Sequence, residues 1–335
     1  MQPAKFHHLL QQWYLANGRH ELPWRKTDDA YKIWLSEVML QQTQVTTVLK
    51  KFYFPFLERF PDINTLANSD LQDVLQLWQG LGYYTRARNI HKAAQQISQA
   101  GLNTLPSNPQ ELIKLPGIGK NTAHAIAAFA FHQPVAILEA NVKRVVARIF
   151  ALTNTNDKEL WSKSESLLDT NNPFDYNQAM MDLGSTICTP KKPRCNECPA
   201  AIICKGQESP EQYPTKKQKA KIPTRKKNIF LFKDDQDRYA IRPRESRFLH
   251  GLWEFPEAEE KKLIFSFNKT KYTIDKKYYI GNINHAYSHF ILAANIYVFT
   301  VKKQHPAWQW KTADEITRLP HSRTEKKILA LIAKH

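Results

Sequence analysis

A chain of 335 residues is longer than a single hydrophobic core usually supports, so two or more domains are expected. No uninterrupted apolar run reaches the length of a bilayer span, and the start MQPAKFHHLL has no cationic stretch leading into an apolar core, so membrane-embedded and exported classes are set aside. The formal net charge of +17 points to a polyanionic partner, most often nucleic acid, although a merely basic protein would carry the same excess.

Residues 1 to about 205 read as one helix after another, punctuated by loops at Pro55, Pro61, Pro106, Pro109 and Pro134. YKIWLSEVMLQQTQVTTVLKKFYFPFLERF repeats large apolar residues at helical spacing. Glu37 stands there on the face of Ile33 and Leu40, with Gln41 one turn on. A carboxyl on an apolar stripe is desolvated and holds its proton to higher pH, which suits a general acid; a structural pair with Lys32 is the other reading. LQDVLQLWQGLGYYTRARNIHKAAQQISQA continues the pattern with a break at Gly80 and Gly82.

LPGIGKNTAHAI follows, residues 115 to 126, with Leu115, Gly117, Gly119, Lys120 and Asn121 opening a helix. Its glycines permit a tight hairpin whose N–H groups face outward at a helix N-terminus, an arrangement that binds phosphate without reading sequence. An ordinary turn between packed helices is the alternative. In VAILEANVKRV, Glu139 sits between an apolar run and the segment Asn141, Lys143, Arg144.

Cys188, Cys195, Cys198 and Cys204 cluster at spacing C-x6-C-x2-C-x5-C, which argues for metal rather than a disulfide framework. Spacing alone leaves zinc and an iron–sulfur cluster both open. Residues 206–227 then read as a basic linker, whose stretch KKQKAKIPTRKK holds seven Lys or Arg. Beyond it the period drops towards two. NIFLFKDDQDRYAIRPR reads as a hairpin, KYTIDKKYYIGNI and HFILAANIYVFTV as strands, and SRTEKKILALIAK as a terminal helix capped by Ser322 or Thr324. Residues 228–335 are therefore a separate α+β domain.

The hairpin and the four-cysteine loop, in this order, resemble the helix-hairpin-helix (endonuclease III) superfamily of DNA glycosylases. LPWR, WLSEVMLQQTQV, LWQGLGYYTRARN, NVKRV and NQAMMDLGSTIC resemble the signatures of its adenine-excising MutY family, and GLWEFP and YSHF extend the likeness into a C-terminal MutT-like, Nudix-fold domain. The resemblance implies a multidomain fold: an all-α glycosylase core over 1–205, with a six-helix lobe at about 25–135 and an iron–sulfur lobe from 1–24 and 136–205, then an α+β reader. It implies a [4Fe-4S] cluster on the four cysteines and double-stranded DNA carrying adenine opposite 8-oxoguanine or guanine as the partner. A monomer in the bacterial cytoplasm is expected, associated with the nucleoid, and the linker could recruit a clamp or repair protein.

The resemblance also assigns roles. Glu37 is the general acid. Glu139 stabilises the electron-poor sugar and Asn141 lies beside it, while Trp24 and Arg25 border the adenine pocket. Gln41, Gln42, Tyr83 and Tyr84 serve base flipping, with Leu81 and Tyr84 also readable as plain core. Arg86, Arg88, Lys143 and Arg144 read as phosphate contacts or solvated faces. Asn121 replaces the lysine nucleophile of bifunctional relatives, which implies a monofunctional enzyme. Tyr287, Ser288 and His289 are the 8-oxoguanine sensor. EFPEAEEKK lacks the acidic helix of a working Nudix hydrolase, so recognition without hydrolysis is expected.

One departure stands out. The family pattern is Asp-Gly where this chain has Glu139-Ala140. Glutamate is a poor N-cap and carries its carboxylate about 1.5 Å further out. Either the loop adjusts to the longer side chain or catalysis is impaired and the protein mainly binds mispairs. An endonuclease III-type lyase is the other rival, disfavoured by Asn121 and the extra domain.

Overall fold

The computed structural model describes residues 3–215, 221–259, 264–267, 270–273, 279–301 and 306–335. In chain order the helices are α1 (Pro3–Asn17), α2 (Ala30–Leu40), α3 (Val45–Lys51), α4 (Tyr53–Arg59), α5 (Ile63–Ala67), α6 (Leu71–Leu77), α7 (Thr85–Gln99), α8 (Pro109–Leu112), α9 (Lys120–Phe131), α10 (Ala140–Ile149), α11 (Asp157–Leu167), α12 (Pro173–Thr186), α13 (Ala313–Thr317) and α14 (Arg323–Ile332). The strands are β1 (Thr224–Lys233), β2 (Tyr239–Pro243), β3 (Trp253–Glu254), β4 (Glu257–Glu259), β5 (Ile264–Phe267), β6 (Thr270–Thr273), β7 (Tyr279–Ala286), β8 (Ile291–Thr300) and β9 (Gln309–Lys311). No helix among the described residues is long and apolar enough to cross a membrane.

The chain divides into two compact units, Met1–Asn68 with Lys92–Gln218 and Ser69–His91 with Lys219–His335. In the first, α2 packs on α9, whose Ala123, Ala125, Ala127 and Ala128 are buried and let the two backbones approach. Asp29 starts α2 by accepting the Tyr31 and Lys32 N–H groups. A second core joins Phe6, Leu10 and Tyr14 of α1 to Val142, Val145 and Val146 of α10, Leu160 of α11, and Met180 and Leu183 of α12. The N-terminal helix is thus bound to segments more than a hundred residues away.

The second unit is built on a mixed sheet, β3-β2-β1-β8-β7, with β4 on β1 and β9 on β2; β5 and β6 form a separate pair. Strands β1 and β8 run parallel from Thr224↔Ile291 to Lys233↔Thr300. The expected hairpin is β1–β2, closed at Lys233↔Tyr239, and Ser322 caps α14. Residues 69–91 belong here because α6 and the loop after it lend polar side chains to the sheet's surroundings. Gln72 Oε1 accepts from Trp253 Nε1 at 3.2 Å, Gln76 Nε2 donates to Arg318 O at 2.9 Å, and Gln79 reaches His321 at 3.0 Å.

The linker reading needs correction. Residues 206–215 fold back on the first unit: Gly206 N donates to Arg148 O at 2.9 Å and Thr215 N to Thr153 O at 3.2 Å. Buried Arg148 donates to Pro210 O and Tyr213 O, because a guanidinium out of water requires acceptors. Thr224–Lys227, expected as the linker's end, start β1. Residues 216–220 lie outside the described residues, as do 274–278 within the expected strand KYTIDKKYYIGNI.

Candidate active site and nucleic-acid interface

Glu37 lies on the third turn of α2. Lys32 does not hold it, being paired with Asp29 at 3.2 Å. Among the described residues no hydrogen bond reaches the Glu37 carboxyl. Burial pushes its pKa up to about 7, the charge of Glu139 pushes the same way, and Arg25 opposes both. The group therefore stands near half protonation at neutral pH, ready to give or take a proton.

Glu139 arrives on an extended segment, 135–139, inside an otherwise helical unit. Ala136, Ile137 and Leu138 are buried, so their backbone polar groups need partners other than water. Side chains of three helices supply several of them. Asn177 Oδ1 accepts from Ile137 N at 3.0 Å and Asn177 Nδ2 donates to Val135 O at 3.0 Å. His124 Nδ1–H donates to Ala136 O at 2.8 Å, Ser164 Oγ donates to Ile137 O at 3.3 Å, and Asn121 Oδ1 accepts from Leu138 N at 2.7 Å. Glu139 then serves as N-cap of α10 despite its length. Oε1 accepts from Val142 N at 3.1 Å and Oε2 from Asn141 Nδ2 at 3.3 Å. Ala140 is the first helical residue, a position that asks for no glycine.

Asn141 is fixed from its other side. Arg144 donates to Asn141 Oδ1 at 2.9 Å, to Gly184 O at 2.6 Å and to Cys188 O at 2.7 Å. A Cβ on Gly184 would lie 2.6 Å from that of Asn141, so only glycine lets α12 come this close. Arg144 is accordingly a structural tie and not a free phosphate contact.

Arg25 and Trp24 sit on a short turn before α2. Arg25 grips buried Asp182 in a fork, Nη1–Oδ2 2.7 Å and Nη2–Oδ1 2.9 Å, and Arg19 joins the same carboxylate. Burial alone would raise the Asp182 carboxyl; the guanidiniums, Arg25 foremost, hold it below the usual range. Arg25 Nε is buried without a hydrogen bond of good geometry among the described residues, while the guanidinium also lies by the Tyr14 hydroxyl. Trp24 is buried with its ring edge-on to Tyr53, at 5.1 Å between centroids. Asp182 escaped the sequence reading, although a lone acid inside AMMDLG was its signal.

The glycine hairpin runs from Leu115 to Gly119, with Gly117 at φ 79° and Gly119 as N-cap of α9 in open space. Lys120 is exposed beside it, 3.8 Å over the Trp161 ring and 3.4 Å from Glu165. Gln41 Nε2 reaches Thr122 Oγ1 at 3.4 Å, which ties the end of α2 to this hairpin's helix. Gln42 is exposed at φ 56°, a left-handed backbone that costs a non-glycine residue free energy and collects at functional sites. Lys143 pairs with Asp157 at 2.6 Å.

All four cysteines, Cys188, Cys195, Cys198 and Cys204, line one cavity with Arg148 and Arg194. Arg148 Nη1 donates to Cys188 Sγ at 3.3 Å. Four soft thiol donors around one space, beside a buried cation, fit an anionic metal–sulfur group. Among the described residues no three side chains are drawn together as tightly as bound metal would hold them.

In the second unit, Tyr83 is 48% exposed at φ 50°, directly after Gly82. Leu81 and Tyr84 are core. Arg86 is buried over the Trp78 and Tyr83 rings and donates to Gly82 O at 3.0 Å, so it braces the loop instead of facing phosphate. Arg88 donates to His250 O at 2.7 Å. A cavity of about 680 Å³ joins this loop to Phe248, Tyr287, Ser288 and His289, with Arg88, Arg247 and Arg323 around it. Ser288 and His289 are exposed, while the Tyr287 hydroxyl is 2.5 Å from Thr324 Oγ1. Glu254 and Glu257, in the stretch where a Nudix helix would supply metal ligands, lie on strands. Arg244 contacts them at 2.9 Å and 3.5 Å.

Comparison with known proteins bears on this arrangement. Residues 35–169 match the model of the HhH-GPD superfamily base excision DNA repair proteins, and 228–331 match a NUDIX domain. The adenine DNA glycosylase of Buchnera aphidicola subsp. Schizaphis graminum is 40% identical over 297 residues, covering 86% of this chain and 85% of the relative. The human adenine DNA glycosylase is 38% identical over 62% of this chain and 40% of its own length. Among solved structures, a thermostable thymine-DNA glycosylase superposes with a TM-score of 0.57 at 27% identity, over 62% of this chain and 96% of its own. An endonuclease III–DNA complex gives 0.53 at 20% identity, over 62% and 97%, a likeness of fold.

Proposed function

The chain belongs to the adenine DNA glycosylase family of HhH-GPD base excision DNA repair proteins, and from that premise we propose that it hydrolyses the N-glycosidic bond of adenine mispaired with 8-oxoguanine or guanine. The single observation that carries the mechanism is the pair of acids, Glu37 raised to about 7 with Glu139 close enough for its charge to contribute. Glu37 gives its proton to a ring nitrogen of the extruded adenine. The bond from the base to C1′ breaks and its electron pair leaves with the neutral base. The sugar becomes an oxocarbenium ion, which the Glu139 carboxylate stabilises from the N-terminus of α10, where the helix dipole and the Val142 N–H favour an anion. Water adds to C1′, and the proton it sheds returns to Glu37.

Position 121 supports the monofunctional reading, since an amide has no amine to form a Schiff base. The cap geometry of Glu139 supports an adjusted site over an impaired one: the longer side chain folds back onto its own helix. In the second unit, the cavity carrying Tyr83, Ser288 and His289 has the chemistry to read an oxidised base, with Arg247 for a phosphate beside it, while Arg88 and Arg323 donate to the His250 and Gly80 carbonyls. Arg244 occupies the acids that a Nudix metal would need, which supports recognition without hydrolysis.

Cys188, Cys195, Cys198 and Cys204 would hold a [4Fe-4S] cluster, which when bound staples their loop and adds no step to the reaction. We take the glycosylase domain to run on through residue 215 and 224–335 as the recognition domain, in a bacterial cytoplasmic protein. The test is a duplex with adenine opposite 8-oxoguanine, incubated with excess protein. Free adenine and a strand that breaks only after alkali are expected. Breakage without alkali would indicate a lyase, and tight binding without base release would indicate a mispair-binding protein. Comparison with the double variant Glu139→Asp, Ala140→Gly closes the question: a gain of several orders of magnitude would mean that the native site is impaired.

A further inference from the structure

The extended segment 135–139 has no neighbouring strand. Asn177, His124, Ser164 and Asn121 bond Val135 O, Ala136 O, Ile137 N, Ile137 O and Leu138 N, and the bond nearest the catalytic carboxylate is that of Asn121. A backbone N–H can bond only to an acceptor, so the atom of Asn121 facing Leu138 N at 2.7 Å is its oxygen. Leu138 is 2% exposed, and no water can replace that oxygen without opening the segment. Glu139 is the next residue. Leu138 N–H is the backbone donor next before Glu139 that a side chain holds.

We propose that Asn121 is a positioning residue for the adenine-excision reaction, fixing through the Leu138 N–H the place where Glu139 meets the developing sugar cation; the inference rests on the function given above. The same position in bifunctional relatives supplies a nucleophile. Here it supplies a hydrogen-bond acceptor, one residue short of the departure Glu139-Ala140. A longer carboxylate requires a firmly set origin, because an error of about 1 Å in a charge that must track the transition state costs on the order of 100-fold in rate.

Two consequences separate positioning from general support. Glu37 feels Glu139 and Arg25 as its charged neighbours. When Glu139 drifts away, the repulsion that helps keep Glu37 protonated fades. The alkaline limb of the excision profile then moves to lower pH. Loss of a merely structural bond would lower stability and leave that limb in place.

The experiment measures single-turnover adenine excision against pH, with mispair affinity and thermal melting alongside, for the native chain, Asn121→Leu and Asn121→Asp. Asn121→Leu removes the acceptor at similar size and is expected to slow excision on the order of 100-fold, shift the limb acidward and leave mispair Kd within a few-fold. Asn121→Asp keeps the acceptor and is expected to recover most of the rate without the acidward shift. Should the Leu variant fail to fold, Asn121→Ser, which shortens the acceptor without adding an apolar side chain, carries the same rate loss and shift. An unmoved limb with unchanged rate, a defect confined to Kd, or equal losses in the Leu and Asp variants would each overturn the proposal. A native protein that releases no adenine would overturn the function itself.

Discussion

Segments 135–139 and 286–290 each present a residue to which the proposed function gives a role, and the molecule holds them by opposite means. The first is largely buried, and polar side chains from α9, α11 and α12 bond its backbone at five atoms. The second leaves Ser288 and His289 exposed and is held by rings. Phe248 stands edge-on to Tyr287 at 5.0 Å and to His289 at 5.1 Å, and Tyr287 N closes the turn on Phe290 O at 2.8 Å. A charge that must meet a developing cation has to be fixed to a fraction of an ångström, which directional bonds in a dry place achieve. A surface that reads a base must stay open to solvent, and ring packing from beneath supports it without covering it.

If the buried segment exists to set up two acids, the largest loss should come from the proton donor. Glu37→Gln keeps the shape and removes the acid, and single-turnover excision is expected to fall about 10²–10⁴-fold. The native rate should decline as pH rises through about 7. Stability should fall over the same range. Glu37 has a folded pKa above its unfolded value, so its contribution is full below about 4.5 and is lost as pH climbs to about 7. The Gln variant is therefore expected to melt higher than the native chain at pH 8, by at most about 3 kcal/mol in unfolding free energy, with no gain at pH 4. A variant less stable than the native protein at pH 8 would mean that Glu37 is not strained by burial.

The next effect tests the close approach behind Glu139. Gly184→Ala sets a Cβ 2.6 Å from that of Asn141 and 3.0 Å from its backbone carbon and oxygen. Backbone cannot step aside cheaply, so a cost of about 1–3 kcal/mol is expected, together with slower excision as Asn141 is displaced from Glu139. Chemical denaturation with the excision assay measures both. Unchanged stability would show that α12 has slack at this point.

The sequence made the helices, the hairpin β1–β2, the glycine turn and the position of Glu37 legible, because each rests on local periodicity or local backbone chemistry. It also exposed Tyr83 through the Gly80 and Gly82 that precede it, and Tyr84 as the core alternative. What it concealed depends on partners far along the chain. Nothing in KNTAHAI says that Asn121 and His124 bond to residues 138 and 136, and nothing in RARN says that Arg86 turns inward beneath Tyr83. Charge near a candidate interface leaves phosphate contacts and solvated faces both open, yet Arg86 and Arg144 are neither and serve backbone carbonyls. Residues 206–215 looked like linker because they carry few large apolar groups, but buried Arg148 draws their carbonyls inward.

The smallest effect belongs to the ring-held turn. Tyr287→Phe removes one hydroxyl, bonded to Thr324 Oγ1 at 2.5 Å and lying 3.5 Å from Ser322 Oγ. A net cost of about 1 kcal/mol is expected, seen as a modest fall in Tm. The ring stays against Phe248, Phe290 and His285, at centroid distances of 5.0, 4.9 and 4.5 Å. Preference for 8-oxoguanine over guanine opposite adenine should accordingly persist, since Ser288 and His289 keep their footing, whereas His289→Ala should weaken it. A Tyr287→Phe variant that keeps its Tm but loses the preference would place the hydroxyl on the lesion itself. The contrast between a bond-clamped segment and a ring-held one would then fail, because this turn too would depend on a single polar atom.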